Sequence, residues 1–355
     1  MRLGVLTSGG DAPGMNAVLH SFVRAGLGRD HEILGIEQGY KGLLEGRVRT
    51  FKQQDVDDIS RRGGTILGSA RSAVFPTEEG QEAGLAKVKE LGLDGLLVIG
   101  GNGSLTGAHK LGTRDPDAGF QVVGLPASID NDIGHCGLAI GVDTAVNTIV
   151  EACDRIADTA QAHHRAFIVE VMGRDCGYLA MRSGIAVEAD AILFAERNRP
   201  EDEIVAHLRK VMQRSFAPDR DKKRVLIIKA EGVKVPTANI VKRLQEHLDE
   251  DAPGVDIRET ILGHVVRGGS PSATDRVISQ RLGLASVFAF EAGAHDVMLG
   301  WDAPKDVGQA TKDPSIRAIA LDEMLAETDR LLGGESPITQ RRVKLLSTVE
   351  ELLAL

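Results

Sequence analysis

Thr7-Ser8-Gly9-Gly10-Asp11-Ala12-Pro13-Gly14-Met15-Asn16 is the stretch from which the fold is read. An apolar run at residues 3–6 precedes it, its glycines permit close backbone approach to a phosphate, and Pro13 suits the first turn of a following helix. The amino end of such a helix offers N–H groups to an anion, whereas a plain tight turn would need only one or two of these glycines. Ile99-Gly100-Gly101-Asn102-Gly103-Ser104 repeats the order of strand, glycine loop and helix. Val122, Val123 and Leu125 then lead into Pro126-Ala127-Ser128-Ile129-Asp130-Asn131-Asp132, which sets two carboxylates around an amide at a strand end.

Outward from these loops, short apolar runs at 3–6, 32–36, 95–99, 121–125, 166–171, 191–194 and 225–230 read as strands, and 82–91, 145–162 and 201–214 read as helices. Alternation of buried-looking strands with helices predicts an α/β protein with mainly parallel sheets and ligand loops at the carboxyl ends of the strands. A length of 355 residues accommodates two such domains. The glycine-rich passage at 134–144 and the Pro253-Gly254 pair are candidate crossings between them.

Composition narrows the class. A net charge of −9 argues against a general nucleic-acid binder, and 3% aromatic residues leave few base-stacking platforms. No apolar run approaches the ~18 residues that span a bilayer. The chain opens directly on a strand-like run, and Cys136, Cys153 and Cys176 lack metal-ligand spacing, so reduced thiols and a cytoplasmic location are expected.

Within the third loop, one carboxylate can accept a proton from a hydroxyl while the other holds Mg²⁺. Asp130 and Asp132 are two apart, so an extended backbone would point them to one side, though a solvated turn or helix cap fits the same spacing. Arg71, Arg165, Arg174 and Arg267 lie in or beside glycine-rich or histidine-bearing motifs, where a guanidinium suits phosphate oxygens. A lone arginine is more often a surface ion pair.

Taken in order, residues 7–16, 63–71, 100–107, 126–132, 170–177, 230–232 and 262–271 resemble the motif series of the phosphofructokinase family, over roughly residues 1–330. The resemblance implies two Rossmann-like domains with the active site in the cleft between them, and transfer of the ATP γ-phosphoryl group to the 1-hydroxyl of fructose 6-phosphate with Mg²⁺. In it, Asp130 matches the general base, Ser128 a residue near the transferring phosphate, Asp132 a magnesium ligand and Arg174 a transition-state arginine. Met172, Gly173, Glu231, His264 and Arg267 match the sugar-phosphate pocket. Arg165 and Arg258 match arginines that reach the 6-phosphate from a neighbouring subunit, which implies a homotetramer. Gly10, Tyr40, Arg71, Gly101, Asn102, Gly103, Ser104 and Gly107 match the donor side.

Two positions bear on the donor. Pyrophosphate users of the family typically carry Asp at the position of Gly103 and Lys at that of Ala127, so both favour ATP. Asn102 stands where ATP-dependent bacterial members usually carry Asp; it keeps an oxygen ligand but weakens the metal site by a charge. Pyrophosphate dependence and a noncatalytic sugar-phosphate-binding paralogue or regulatory subunit are the alternatives. A dehydrogenase is disfavoured, because the first loop lacks the Gly-x-Gly-x-x-Gly pattern. The positions matching the family's effector pocket are His20, Arg24, Gln53, Ala157, Asp190 and Lys222, without three of the expected arginines. The expected division is residues 1–141 with about 254–316 as a larger donor domain and about 142–253 with 317–355 as a smaller sugar-phosphate domain. The tail from about Leu331, with an amphipathic segment at 343–355, lies beyond the resemblance.

Overall fold

A computed structural model describes residues 1–115, 117, 119–220 and 223–353. The chain begins with β1 (Arg2–Ser8), β2 (Glu32–Ile36), β3 (Val48–Thr50), β4 (Gly95–Gly100) and β5 (Gln121–Pro126). It continues with β6 (Arg165–Val171), β7 (Ala191–Leu193), β8 (Arg224–Ala230) and β9 (Asp256–Ile261), then β10 (Val297–Trp301), β11 (Gln309–Ala310) and β12 (Ile316–Ala320). These form an eight-stranded sheet in the order β11-β12-β10-β5-β4-β1-β2-β3 and a four-stranded sheet in the order β7-β8-β6-β9.

The second sheet is wholly parallel; the first is parallel from β2 to β10, with β3, β12 and β11 added antiparallel at its two edges. All seven expected strands are present. β4 is buried at every residue, as a strand covered on both faces by helices must be. The expected helices lie at Glu78–Glu90, Val142–His163 and Glu201–Ser215, the first capped by the Thr77 hydroxyl, which accepts from the Gly80 N–H.

The chain divides into two units, residues 1–144 with 267–331 and residues 145–266 with 332–355. This corrects the expected division, which returned the chain to the first domain near 254 and left it near 316. The reason is strand pairing. β9 hydrogen-bonds to β6 in the second sheet, and β12 pairs with β10 in the first, so each carries its segment with it. The second unit has its own core, in which Ile168, Leu208, Val225 and Ile227 are fully buried. The tail forms a helix, Pro337–Leu353, in the second unit, where Arg342 stacks over the Tyr178 ring and donates to the Cys176 sulfur at 3.3 Å. Among the described residues no helix is long and apolar enough to cross a membrane.

Candidate active site

In the first unit, three loops at the carboxyl ends of β1, β4 and β5 close on one another. The helix Met15–Leu27 starts after Gly14, whose φ of 119° and tight approach to Ile140 and Ser279 exclude a side chain. Pro13 therefore precedes the helix cap and does not occupy the first turn. Asn16 is buried; its amide donates to the Arg62 and Gly63 carbonyls and its oxygen accepts from the Ile66 N–H at 2.8 Å. That bonding fixes the 62–71 loop on the first helix. The Thr7 hydroxyl donates to the Gly68 carbonyl at 2.9 Å, and the Ser69 hydroxyl to that of Gly9 at 2.5 Å. Arg71, at the end of this loop, is exposed.

The second loop packs against the first. A Cβ on Gly9 would stand 3.2 Å from the Ser104 hydroxyl, and one on Gly100 would meet the Ser8 carbonyl at 2.5 Å. Gly101 caps the helix Asn102–Gly112, and nothing stands within 4 Å of a Cβ placed on Gly103. Tyr40 and Gly107, expected among the donor-binding residues, are built into the support behind this helix. The buried Tyr40 ring stacks on Phe75 at 3.9 Å, its hydroxyl donates to the Ser104 carbonyl at 2.6 Å, and Gly107 lets both rings approach. Burial raises the Tyr40 phenol well above its ordinary range.

The third loop turns and does not extend. Asn131 has a φ of 51°, its amide donates to the Gly137 carbonyl, and its oxygen accepts from the Ala139 N–H. Of the two readings that the spacing left open, extended alternation and a turn, the backbone takes the turn, and a turn sets both carboxylates. Asp132 accepts from the Ser128 hydroxyl at 2.8 Å and from the Asn102 amide at 2.9 Å. The Asn102 side-chain oxygen is buried and takes no hydrogen bond. An unsatisfied buried carbonyl beside a carboxylate is a donor set that suits Mg²⁺, which binds oxygen and retains several waters and phosphate oxygens. No cluster of three histidines, cysteines or carboxylates among the described residues competes for that role.

Behind these loops lies a buried carboxylate that sequence reasoning missed. Asp275 is fully buried and accepts from the Gly141 and Thr144 N–H groups and from the Thr144 hydroxyl. Burial raises its carboxyl above the usual range, while these hydrogen bonds pull the other way. Arg267 opens the returning segment. Its guanidinium lies 2.8 Å from where a Gly10 Cβ would be and donates to the Asp11 carbonyl at 3.4 Å. The expected sugar-pocket arginine is thus held on the first glycine loop.

In the second unit, the carboxyl edge carries Met172, Gly173 and Arg174 after β6, Glu231 after β8 and His264 after β9. Met172 is buried, while Glu231 and His264 are exposed. Gly173 has a φ of 124°, and a Cβ on Gly232 would stand 1.9 Å from the Arg174 carbonyl oxygen, so both glycines are needed to bring the two loops together. The Arg174 side chain is 81% exposed and its Nε donates to Asp175 at 3.1 Å.

Arg165 and Arg258 lie elsewhere. Arg165 opens β6, and both guanidiniums turn to the Asp256 carboxylate, at 3.5 and 2.6 Å. β6 has seven residues, so about 20 Å of strand separates its amino end from the loop that bears Arg174. The Asp256 partner went unnoticed, although Asp256 and Arg258 two apart in a strand share a face. Of the effector-pocket positions, Asp190 is buried and accepts from the Leu226 N–H at 2.9 Å, a structural use; Lys222 lies outside the described residues. His20 is half-buried, and burial lowers its imidazole.

A phosphoryl-transfer protein of two α/β units is what these loops define. The phosphofructokinase family model matches residues 2–290, and the chain belongs to that family. It is 46% identical over 312 residues to an ATP-dependent 6-phosphofructokinase of Natranaerobius thermophilus, covering 88% of this chain and 93% of that protein. A Bacillus subtilis relative of the same name is 45% identical over 81% of this chain and 85% of its own. Among solved structures, Pichia pastoris phosphofructokinase in the T-state superposes with a TM-score of 0.87 at 30% identity over 99% of this chain. This chain spans 39% of that longer chain.

Proposed function

We propose that this chain is an ATP-dependent 6-phosphofructokinase, which transfers the γ-phosphoryl group of ATP to the 1-hydroxyl of fructose 6-phosphate and yields fructose 1,6-bisphosphate and ADP, a glycolytic step. The observation that carries the reading is the Ser128–Asp132–Asn102 cluster at the mouth of two glycine loops, in a chain alignable with nearly the whole of an ATP-dependent relative.

Asp130 accepts the proton of the 1-hydroxyl as the sugar oxygen attacks phosphorus in line, and the bridging oxygen leaves with ADP. Gly10, Gly101, Gly103, Ser104 and Arg71 serve the donor, with the open direction at Gly103 leaving room for the α-phosphate. Tyr40 and Gly107 act from behind, through Ser104. Ser128 holds Asp132 beside the transferring phosphate, and Arg174 stabilises charge on that group. Arg267 serves the same phosphate from the Gly10 loop, while Met172, Gly173, Glu231 and His264 hold the sugar. Asp132 and the Asn102 oxygen would hold Mg²⁺, whose contribution when bound is to neutralise phosphate charge.

The separation of Arg165 and Arg258 from the other sugar-pocket residues of their own sheet supports their use by a neighbouring subunit, in a cytoplasmic homotetramer. Measurement of fructose 1,6-bisphosphate formation with Mg²⁺, comparing ATP with pyrophosphate, tests the assignment. Turnover with ATP is expected. Turnover with pyrophosphate alone, or sugar-phosphate binding without any turnover, would replace it with one of the two rival readings.

A further inference from the structure

Lys229 interrupts the otherwise apolar end of β8 and is 1% exposed, among the largest fully buried side chains of the chain. In the register of the second sheet it stands opposite Glu170 of β6, and its ammonium donates to the Glu170 carboxylate at 3.0 Å. Each lies two residues beyond a fully buried isoleucine, Ile168 or Ile227, so the pair shares the face that carries the core of the second unit. The Thr237 hydroxyl, at the start of the helix Thr237–Gln245, donates to the same carboxylate oxygen. Two strands and a helix thus meet at one carboxylate.

Stability alone does not account for such a pair. Taking both charges out of water costs about as much as their attraction returns, and apolar residues of like volume are often as stable. What the pair adds is direction, because hydrogen bonds fix angle as well as distance.

The pair stands where the loops assigned to the sugar leave the sheet. The Glu170 backbone carbonyl accepts from the Leu262 N–H at 3.0 Å, just ahead of the turn Gly263–Arg267 that bears His264. Next along, the Val171 carbonyl accepts from the Glu231 N–H at 2.8 Å, and the Gly173 carbonyl from the Gly232 N–H at 3.2 Å. Met172 follows Glu170 by two residues, and Glu231 follows Lys229 by two.

We infer that Lys229 is a positioning residue for sugar-phosphate binding: through Glu170 and Thr237 it fixes the strand ends from which Met172, Glu231 and His264 are presented. The inference rests on the assignment of those three residues to fructose 6-phosphate. Lys229 itself touches no substrate in this role.

Calorimetric titration of the full chain with fructose 6-phosphate, and separately with ADP, tests it in the wild type, in Lys229→Met/Glu170→Met and in Thr237→Val. The double variant removes both charges together, so neither is left buried alone, and its melting temperature is expected to match or exceed that of the wild type. Its fructose 6-phosphate binding is expected to weaken roughly tenfold or more through lost preorganisation, with ADP affinity unchanged, because the donor loops belong to the other unit. Thr237→Val, which removes a single hydroxyl, should weaken the sugar several-fold and leave ADP alone. Wild-type sugar affinity in Thr237→Val overturns the inference, whether or not the double variant folds. So does a folded double variant that binds the sugar as the wild type does, or one that loses ADP and sugar to the same degree. A wild type that binds no fructose 6-phosphate removes the sugar-site assignment and the inference together; a wild type that binds it while the variants match it removes the inference alone.

Discussion

The Asn102 side-chain amide donates to the Asp132 carboxylate at 2.9 Å, and this bond gives the donor loop a neutral partner where two carboxylates would repel. At roughly 4 Å and an effective dielectric of 20, such repulsion is about 4 kcal/mol before solvent compensates. Asn102→Asp is therefore expected to lower the melting temperature by several degrees in EDTA and to recover it with Mg²⁺. Equal melting curves with and without the ion would show that residue 102 does not face a metal.

Asp130, which we propose as the acceptor of the sugar hydroxyl's proton, sits in the turn after β5. Asp130→Ser is expected to lower kcat by about 10²–10⁴-fold, with KM for fructose 6-phosphate changed only a few-fold. Near-normal turnover would remove Asp130 from the role of base.

Arg165 and Arg258 share Asp256 at the end of the sheet opposite Arg174. Arg165→Ala and Arg258→Ala are each expected to raise KM for fructose 6-phosphate at least tenfold. Hybrids formed by unfolding and refolding Arg165→Ala together with Asp130→Asn should, at low fructose 6-phosphate, exceed the summed activity of the parents, because some sites then draw an intact residue from each chain. A mixture no more active than the sum of its parents would place the arginines in their own subunit's site.

Asp275 is buried with its carboxyl raised above the unfolded value of about 3.9. The native state therefore binds the proton first. The cost of burying the charge is present above the folded value and disappears as pH falls below the unfolded one. Asp275→Asn removes this titration but turns an amide toward the Thr144 N–H, costing about 1–3 kcal/mol. The margin of the wild type over the variant, measured by denaturant unfolding, should widen from pH 7 toward pH 4. A margin that narrows on acidification would contradict the sign of the shift.

Cys176 is buried, with the Arg342 guanidinium of the Pro337–Leu353 helix on its sulfur. A chain ending at Leu332 should expose this thiol to a disulfide reagent that the intact protein excludes. Cys153 should stay silent in both, since its burial pushes the thiol up to about 12. Equal thiol counts in the two chains would mean that the helix does not cover Cys176.

Much of this was legible in the residues. The loops at the ends of β1 and β4 announce themselves by glycines after apolar runs, the loop after β5 by its paired aspartates, and each of those runs is a strand. β9 was not legible, because Asp256, Arg258 and Glu259 give it the composition of a surface loop, and with it went the true crossing points between the units. The Asp130–Asp132 spacing left two readings open for a local reason: spacing of two implies one side only in extended backbone, and Asn131 is left-handed. Asp275 carried no signal at all. Its partners lie more than a hundred residues earlier, and only the folded chain brings a lone helix aspartate to the amino end of another helix.

The pairing of β5 with β10 has a consequence during synthesis on the ribosome. When β1 to β5 have emerged, β5 is the open margin of a sheet whose strands are apolar on both faces, and its neighbour begins only at Val297. The whole second sheet must be translated before that margin is covered. A nascent chain paused in this interval presents an unpaired strand to its polysome neighbours, which makes this interval the one in which chaperone capture matters most.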